Sequence, residues 1–279
     1  MQKKLLLMIL CLISFCYLMF SQNIKYGVSY NYPSEFGSII INKDSYSRES
    51  LDGKEDIIIE NFKSKIYEKN KYIWLENIEK LDEKYIILTC SVKDLDFLTL
   101  VCSRDASDNY FKNWEINYNY CNDYSKYKSI PWLRGFSVLK TDSFLLEKLK
   151  DGTELKYLPE SSRVSNIPWA TKGDVDKKII YLESDSSMLF NTIVIANGFI
   201  CFDKPYLYEQ NSRVKKIRVS WENNTKDFVL QDTPNFQILI LSNKDDLYKG
   251  DIQLEILEVY KGSKYSDIVI SGIYYIECN

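Results

Sequence analysis

The groups that could do chemistry in this chain are carboxylates, thiols and aromatic rings, because its 279 residues include no histidine. Without imidazole there is no His-based triad, no common zinc-hydrolase site and no ordinary general acid–base pair working near neutral pH. No glycine loop that cradles phosphate and no nucleophile elbow occurs. A two-carboxylate glycosidase needs only two Asp or Glu at a set separation, and the 39 acidic residues supply many. None stands in a suggestive context, and on a chain this charged such pairs are ordinarily solvated surface. Calcium needs clustered oxygen ligands; Asp174-Val175-Asp176 and Asp245-Asp246 are fragments of such a loop, not a full one. The expectation is a protein that is not an enzyme, with no catalytic residues, no metal site and no cofactor.

The thiols point the same way. Cys11 and Cys16 fall in an apolar leader, which leaves Cys90, Cys102, Cys121, Cys201 and Cys278. That number is odd, the spacings match no disulfide framework, and no close pair makes a zinc site. They read as small buried hydrophobes. Cys90 and Cys102 flank the Asp94-Leu95-Asp96 turn and are the one pair that could meet across a hairpin, although their offsets from the turn are unequal.

The leader itself is an address. Lys3-Lys4 precede an apolar run from Leu5 to Phe20, and Ser21-Gln22 then opens polar chain. The run has the length of a signal-peptide core and is short for a membrane span. Residues 1–21 are expected to be cleaved, so that the mature chain starts near Gln22. Cys16 invites a lipoprotein reading, but Phe15 before it is too bulky for that motif. No later segment is long and apolar enough to span. The expected location is secreted, periplasmic or at the cell surface. Net charge is −3 with both signs interspersed, and no basic block marks a nucleic-acid partner.

Stepping along the chain, two β-rich stretches flank a polar, aromatic linker near residues 118–127. In the first, residues 22–125, short runs such as Ser38–Ile41, Asp56–Ile59, Tyr72–Leu75, Tyr85–Cys90 and Phe97–Cys102 alternate with turn formers. They predict a small up-and-down meander of unknown role. Residues 64–70 and 77–83 read as helix or as polar loop. In the second, residues 130–279, strands are predicted at Ile179–Leu182, Asn191–Ala196, Val214–Trp221, Asp227–Leu230, Phe236–Leu241 and Asp251–Tyr260, with one short helix at Ser143–Lys150 before an Asp151-Gly152 turn. Lys215-Lys216 interrupt the alternation in their strand, which signals an edge or a bulge. Asn223-Asn224 signals a hairpin turn.

The second stretch also carries specific words in a specific order: Ile167-Pro168-Trp169, Asn197-Gly198-Phe199, Leu207-Tyr208, Asn211-Ser212-Arg213-Val214-Lys215-Lys216-Ile217, Gln237, and Val259-Tyr260 through Asp267 to Ile270-Ser271. With a weaker lead-in at Phe144–Glu160, it resembles the discoidin-like, NADase-type glycan-binding domain of the NAD glycohydrolase translocation family, over about residues 138–279. One departure is the turn after Trp169, Lys172-Gly173-Asp174-Val175-Asp176, which has a single glycine where relatives have several. The resemblance implies an all-β protein: a small β-rich amino-terminal domain followed by a discoidin-like (galactose-binding-like) jelly-roll β-sandwich. It implies non-catalytic carbohydrate binding, with a glycan as partner and a cell-envelope or host surface as its setting. The alternative is an envelope protein-interaction or structural module without sugar binding.

Sugar recognition uses aromatic faces and planar polar groups. Beside the family words these are Trp169, Asn197, Tyr206, Tyr208, Asn211 and Arg213, the candidate ligand-binding residues. Each has a structural alternative. Trp169 reads also as a plug of the sandwich end, Asn197-Gly198 as a strand-ending turn, and Arg213 as an ion-pair partner of a carboxylate such as Asp267. Asp267 and Ser271 read as groups that satisfy buried backbone.

Overall fold

In the computed structural model, residues 24–29, 36–41, 44–51, 57–69, 72–79, 84–92, 95–103, 114–121, 133–136, 138–159, 168–183, 189–201, 204–242 and 247–277 are described. The leader, Cys278, residues 122–132 and Asp245-Asp246 lie outside them.

Two separate sheet systems follow one another along the chain. The first is a closed barrel of β1 (Ile24–Ser29), β2 (Phe36–Ile41), β3 (Ser45–Leu51), β4 (Ile57–Lys69), β5 (Tyr72–Asn77), β6 (Lys84–Val92), β7 (Leu95–Ser103) and β8 (Trp114–Cys121). Each strand pairs antiparallel with the next, and β1 closes on β8 through Gly27↔Cys121 and Val28↔Tyr120. The predicted meander is therefore present, and closure removes the edges that an open meander would leave exposed. The segment at 64–69 is neither helix nor loop: it extends β4, with Ser64↔Asn77 through Lys69↔Tyr72 paired to β5.

The barrel register also separates the cysteines. Cys90 stands opposite Phe97, while Cys102 stands opposite Tyr85. That places the two well beyond the ~7 Å Cα limit for a disulfide. Phe97 is flanked on its other side by Cys121, so Cys90 and Cys121 are two strand spacings apart, roughly 10 Å.

The second system runs from β9 (Leu133–Gly135) and β10 (Val138–Thr141) through β13 (Trp169–Thr171), β14 (Ile179–Glu183), β15 (Phe190–Asn197), β16 (Ser212–Trp221), β17 (Asn224–Val229), β18 (Phe236–Ile240), β19 (Ile252–Tyr260) and β20 (Ile268–Glu277). Its spine is ordered β10-β14-β19-β16-β20-β15-β18, with β17 beside β16 and both β9 and β13 beside β20. The join between β16 and β20 is the short parallel contact Ser212↔Ile268 and Arg213↔Val269. On either side of that join, the two halves face each other over one core. Ile180, Leu182, Ile217, Val219, Leu254 and Ile256 come from one half; Ile193, Ile195, Leu239, Ile270, Ile273 and Tyr275 come from the other. This is a discoidin-like β-sandwich. Each fully buried aliphatic side chain adds about 1.5–3 kcal/mol relative to exposure.

Parity explains two local features. In β20 the core positions run Ile268, Ile270 and then Ile273, Tyr275. The change of parity falls at the register shift where Ala196↔Gly272 gives way to Asn197↔Ile270. In β16 the shift around Lys216 is the bulge that the paired lysines signalled. The strand is internal, however, flanked by β19, β17 and β20, so the edge reading is corrected. β15 is buried at every position; its run Ile193-Val194-Ile195-Ala196 reads as it should for a strand covered on both faces.

Two turns differ from expectation. Ser143–Lys150 is not a helix. β11 (Leu145–Lys148) pairs with β12 (Glu154–Tyr157) as a hairpin, closed by Gly152 N–H donating to Leu149 O at 3.0 Å, with Gly152 at φ 89°. The other hairpin pairs Trp221 with Asn224, so its turn is Glu222-Asn223, one residue early, and Glu222 carries the positive φ of 49°. One helix, α1 (Leu207–Gln210), lies in the connection from β15 to β16. Among the described residues no helix is long and apolar enough to cross a membrane.

Candidate functional site

Strand direction brings many connections to one end of the sandwich. β13 and β15 end there, β16 and β20 begin there, and β19 ends there opposite Arg213. The connections at this end are the β11–β12 hairpin with its lead-in, 172–178, 198–211 with α1, 230–235, and 261–267. All six sequence candidates lie on or beside them.

Five of the six are buried. Trp169 is 2% exposed and its indole N–H donates to Ser143 O at 3.1 Å, so the ring plugs the sandwich below the β11–β12 hairpin. Asn197 is fully enclosed: its amide donates to Val214 O at 2.8 Å and accepts from Val214 N at 3.0 Å. It thus replaces a ladder pair where β15 leaves the sheet. Asn211 closes α1 by donating to Leu207 O at 2.9 Å. Tyr208 is sealed, with its hydroxyl 3.4 Å from Asp232 Oδ1. Burial first, and the Asp232 carboxylate second, push its phenol far above the ordinary tyrosine range.

Arg213 is the centre of this buried seam. Its Nε and Nη2 clasp Asp232 Oδ1 and Oδ2 at 2.7 and 3.0 Å. Its Nη1 donates to three carbonyls, those of Asn211 at 2.7 Å, Tyr208 at 3.2 Å and Glu209 at 3.3 Å. The guanidinium carbon lies 5.3 Å from the Tyr208 ring centroid. A bidentate carboxylate plus three carbonyls is the environment in which a guanidinium tolerates burial. The partner is Asp232, not Asp267. Gly198 makes room for the knot: at φ 86°, a Cβ there would meet the Tyr208 ring at 2.6 Å and Arg213 Cγ at 2.8 Å. Ser271 acts as expected on buried backbone, donating to Gly198 O at 2.7 Å and accepting from Ile200 N at 2.8 Å. Asp267 contributes through its carbonyl, which accepts from Ser212 N at 2.8 Å. Its carboxyl is pushed up by burial, then eased by Lys172 and raised again by Asp174.

Tyr206 is the exception, 46% exposed at the start of α1. On the loop docked against the same helix is a residue that sequence reasoning did not single out, Tyr265, 38% exposed. The loop that carries Tyr265 is docked on α1: Ser263 N donates to Glu209 O at 2.9 Å, while Lys264 N and Tyr265 N donate to Gln210 O at 3.1 and 2.8 Å. Gly262 permits the approach, since a Cβ there would lie 2.3 Å from Gln210 O. The lone glycine of the neighbouring turn has the same use: a Cβ at Gly173 would lie 2.6 Å from Ser266 O. Asp232 was also missed, and its context, Gln231-Asp232-Thr233-Pro234, reads only as a turn. Tyr265 had a signal, its place in the closing family word.

Cys201 is buried, as the sequence reading expects of a small hydrophobe. Among the described residues, no three His, Cys, Asp or Glu side chains are placed to hold a metal ion. The arrangement can present aromatic surface on a rigid base.

Residues 170–276 match the family model described as NAD glycohydrolase translocation F5/8 type C domain, and this part of the chain is a discoidin-like domain of that family. No curated protein matches the chain. Among solved structures, one described as a glycoside hydrolase superposes with a TM-score of 0.34 at 8% identity, over 90% of this chain and 69% of that one. The insecticidal delta-endotoxin Cry8Ea1 from Bacillus thuringiensis superposes with a TM-score of 0.23 at 9% identity, over 92% of this chain and 52% of that one. Superpositions this loose carry no argument about fold or function.

Proposed function

We infer that this is a secreted or surface-exposed, non-catalytic carbohydrate-binding protein that holds its ligand at the loop end of the sandwich. The observation that carries the reading is the division of labour there. The polar side chains of Asn197, Asn211 and Arg213 are committed to the backbone and to Asp232, while Tyr206, at the start of α1, and Tyr265, on a loop pinned to α1, stay exposed. A rigid aromatic face above a fully bonded base suits the apolar side of a pyranose. In this reading Tyr206 touches the ligand; Trp169, Asn197, Tyr208, Asn211 and Arg213 hold the surface that presents it.

Export is supported by the Lys3-Lys4 and Leu5–Phe20 leader. A second folding unit from about residue 130 to the end is supported by β9 and β10, which join the same sheet as β20 and β14 ahead of the family match. A glycan array probed with the full chain tests the function. Saturable binding that Tyr206→Ala weakens by about tenfold or more is the expected result; a blank array together with capture of one envelope protein would replace this reading with a protein-interaction module.

A further inference from the structure

Resting on that reading, we propose that the platform selects an anionic sugar, one bearing a carboxylate or a sulfate, through Lys264. The residue lies in the loop docked on α1, next to Tyr265 in sequence. Its ammonium sits 4.9 Å from the Tyr265 ring centroid. The Tyr265 hydroxyl, and more weakly Tyr206, hold its protonated form. Lys264 is exposed, and among the described residues no carboxylate stands within ion-pair distance of it.

Among the described residues Lys249 and Lys261 likewise make no ion pair; what sets Lys264 apart is the exposed Tyr265 ring beside its ammonium. Lys140 pairs with Glu183, Lys215 with Glu258, and Lys216 and Arg218 with Asp227. An exposed cation held at one ring, with donors left over, has room for an incoming anion. The rings take the apolar face of the sugar and Lys264 takes its acid group. The backbone bonds from residues 263–265 to Glu209 and Gln210 hold the loop in place before ligand arrives, so binding does not require ordering it.

The test uses the full chain on an array of neutral glycans and their sialylated, uronic-acid and sulfated counterparts, followed by calorimetry on the strongest acidic glycan and its neutral parent. The acidic member should bind about tenfold tighter or better, as expected for a hydrogen bond to a charged group. Lys264→Gln should bring it to the level of the neutral parent, Lys264→Arg should keep the preference, and Lys249→Gln, at the other end of the sandwich, should leave it unchanged. The preference should also weaken with salt. Which acidic members bind separates carboxylate from sulfate recognition. Equal binding of acidic and neutral partners, or a preference that survives Lys264→Gln, overturns the role of Lys264 and leaves the carbohydrate reading standing. An array blank for every glycan overturns both.

Discussion

The loop end of the sandwich contains two cation–tyrosine pairs, and they differ in burial and in partners. Arg213 stands 5.3 Å from the Tyr208 ring and Lys264 stands 4.9 Å from the Tyr265 ring. The first pair is buried, and its cation is clasped by Asp232 and three carbonyls. The second is exposed, and its cation makes no ion pair among the described residues. Tyr206 and Tyr208 repeat the contrast within one turn of chain, 46% against 0% exposed. Residue type does not separate the buried support from the proposed recognition surface. What separates them is whether the polar atoms already have partners.

The largest effect should come from breaking the buried pair. Arg213→Met leaves the Asp232 carboxylate and the carbonyls of Tyr208, Glu209 and Asn211 without their donor. Removing one partner of a buried pair costs about 3–5 kcal/mol. Because the Asp232 side chain is 27% exposed, water relieves part of this, and a loss of about 3 kcal/mol in urea unfolding is expected. Arg213→Lys should recover little, since an ammonium cannot make the fork. A loss under about 1 kcal/mol for Arg213→Met would mean that solvent reaches the seam, and the contrast between the two pairs would collapse.

A smaller loss tests the same seam without charge. Asn197→Ala strips a partner from both the N–H and the C=O of Val214 in a fully enclosed place. About 2 kcal/mol is expected from the unfolding midpoint, the cost of buried groups left unsatisfied. Ser271→Ala, which frees Gly198 O and Ile200 N, should fall in the same class. A neutral result at Asn197 would show that the end of β15 relaxes onto another ladder partner.

How far these roles were legible in the sequence depends on range. Strands came through because β-branched runs and turn formers are local, as in Asn191–Ala196 and Phe236–Leu241. The bulge came through because two lysines interrupt an apolar strand. The hairpin at Leu145–Tyr157 did not, since Ser143–Lys150 is built of good helix formers and only the pairing to Glu154–Tyr157 overrides them. The candidate residues taken from the family words gather at one end of the sandwich. The words did not say which side chains face outward, because Trp169 and Tyr208 look identical in sequence whether they plug a sandwich or greet a ligand. Asp232 was out of reach: nothing local marks one carboxylate among 39 as the partner of an arginine 19 residues earlier.

At the open pair the sign of the contrast reverses. Tyr206→Ala and Tyr265→Ala should change stability by no more than about 0.5 kcal/mol, as for surface positions generally. Their effect should appear in affinity for whatever glycan the array identifies, about 1–3 kcal/mol for each ring in use, by analogy with aromatic stacking on bases. Calorimetry alongside a thermal melt separates the two quantities. Full affinity in both variants would move the ligand to another face and leave Tyr206 and Tyr265 as incidental surface.

The smallest effect sharpens the comparison with a third kind of cation cluster, exposed and already neutralised. On the β16–β17 hairpin, Asp227 receives Arg218 Nε at 2.8 Å and lies 3.0 Å from Lys216 Nζ. These hydrogen bonds, Arg218 first, hold its carboxyl down from 3.8 to about 2. A carboxyl depressed in the fold binds its proton more readily in the unfolded chain, so its contribution to stability is present above pH 3.8 and is lost as pH falls through about 2. Asp267 works in the opposite sense, since its raised carboxyl favours the fold when protonated and loses that contribution as pH rises through its folded pKa. Raw melting curves therefore mix the two. The difference between wild type and Asp227→Asn cancels Asp267, which both share. That difference should be small and flat from neutral pH down to the ordinary carboxyl range, then shrink toward pH 2, and it should be reduced by salt throughout because the pair is open to solvent. A pH-independent difference would show that Asp227 acts by packing alone. It would also show that surface cations on this hairpin lack the hold over a carboxylate that an incoming anion at Lys264 is expected to feel.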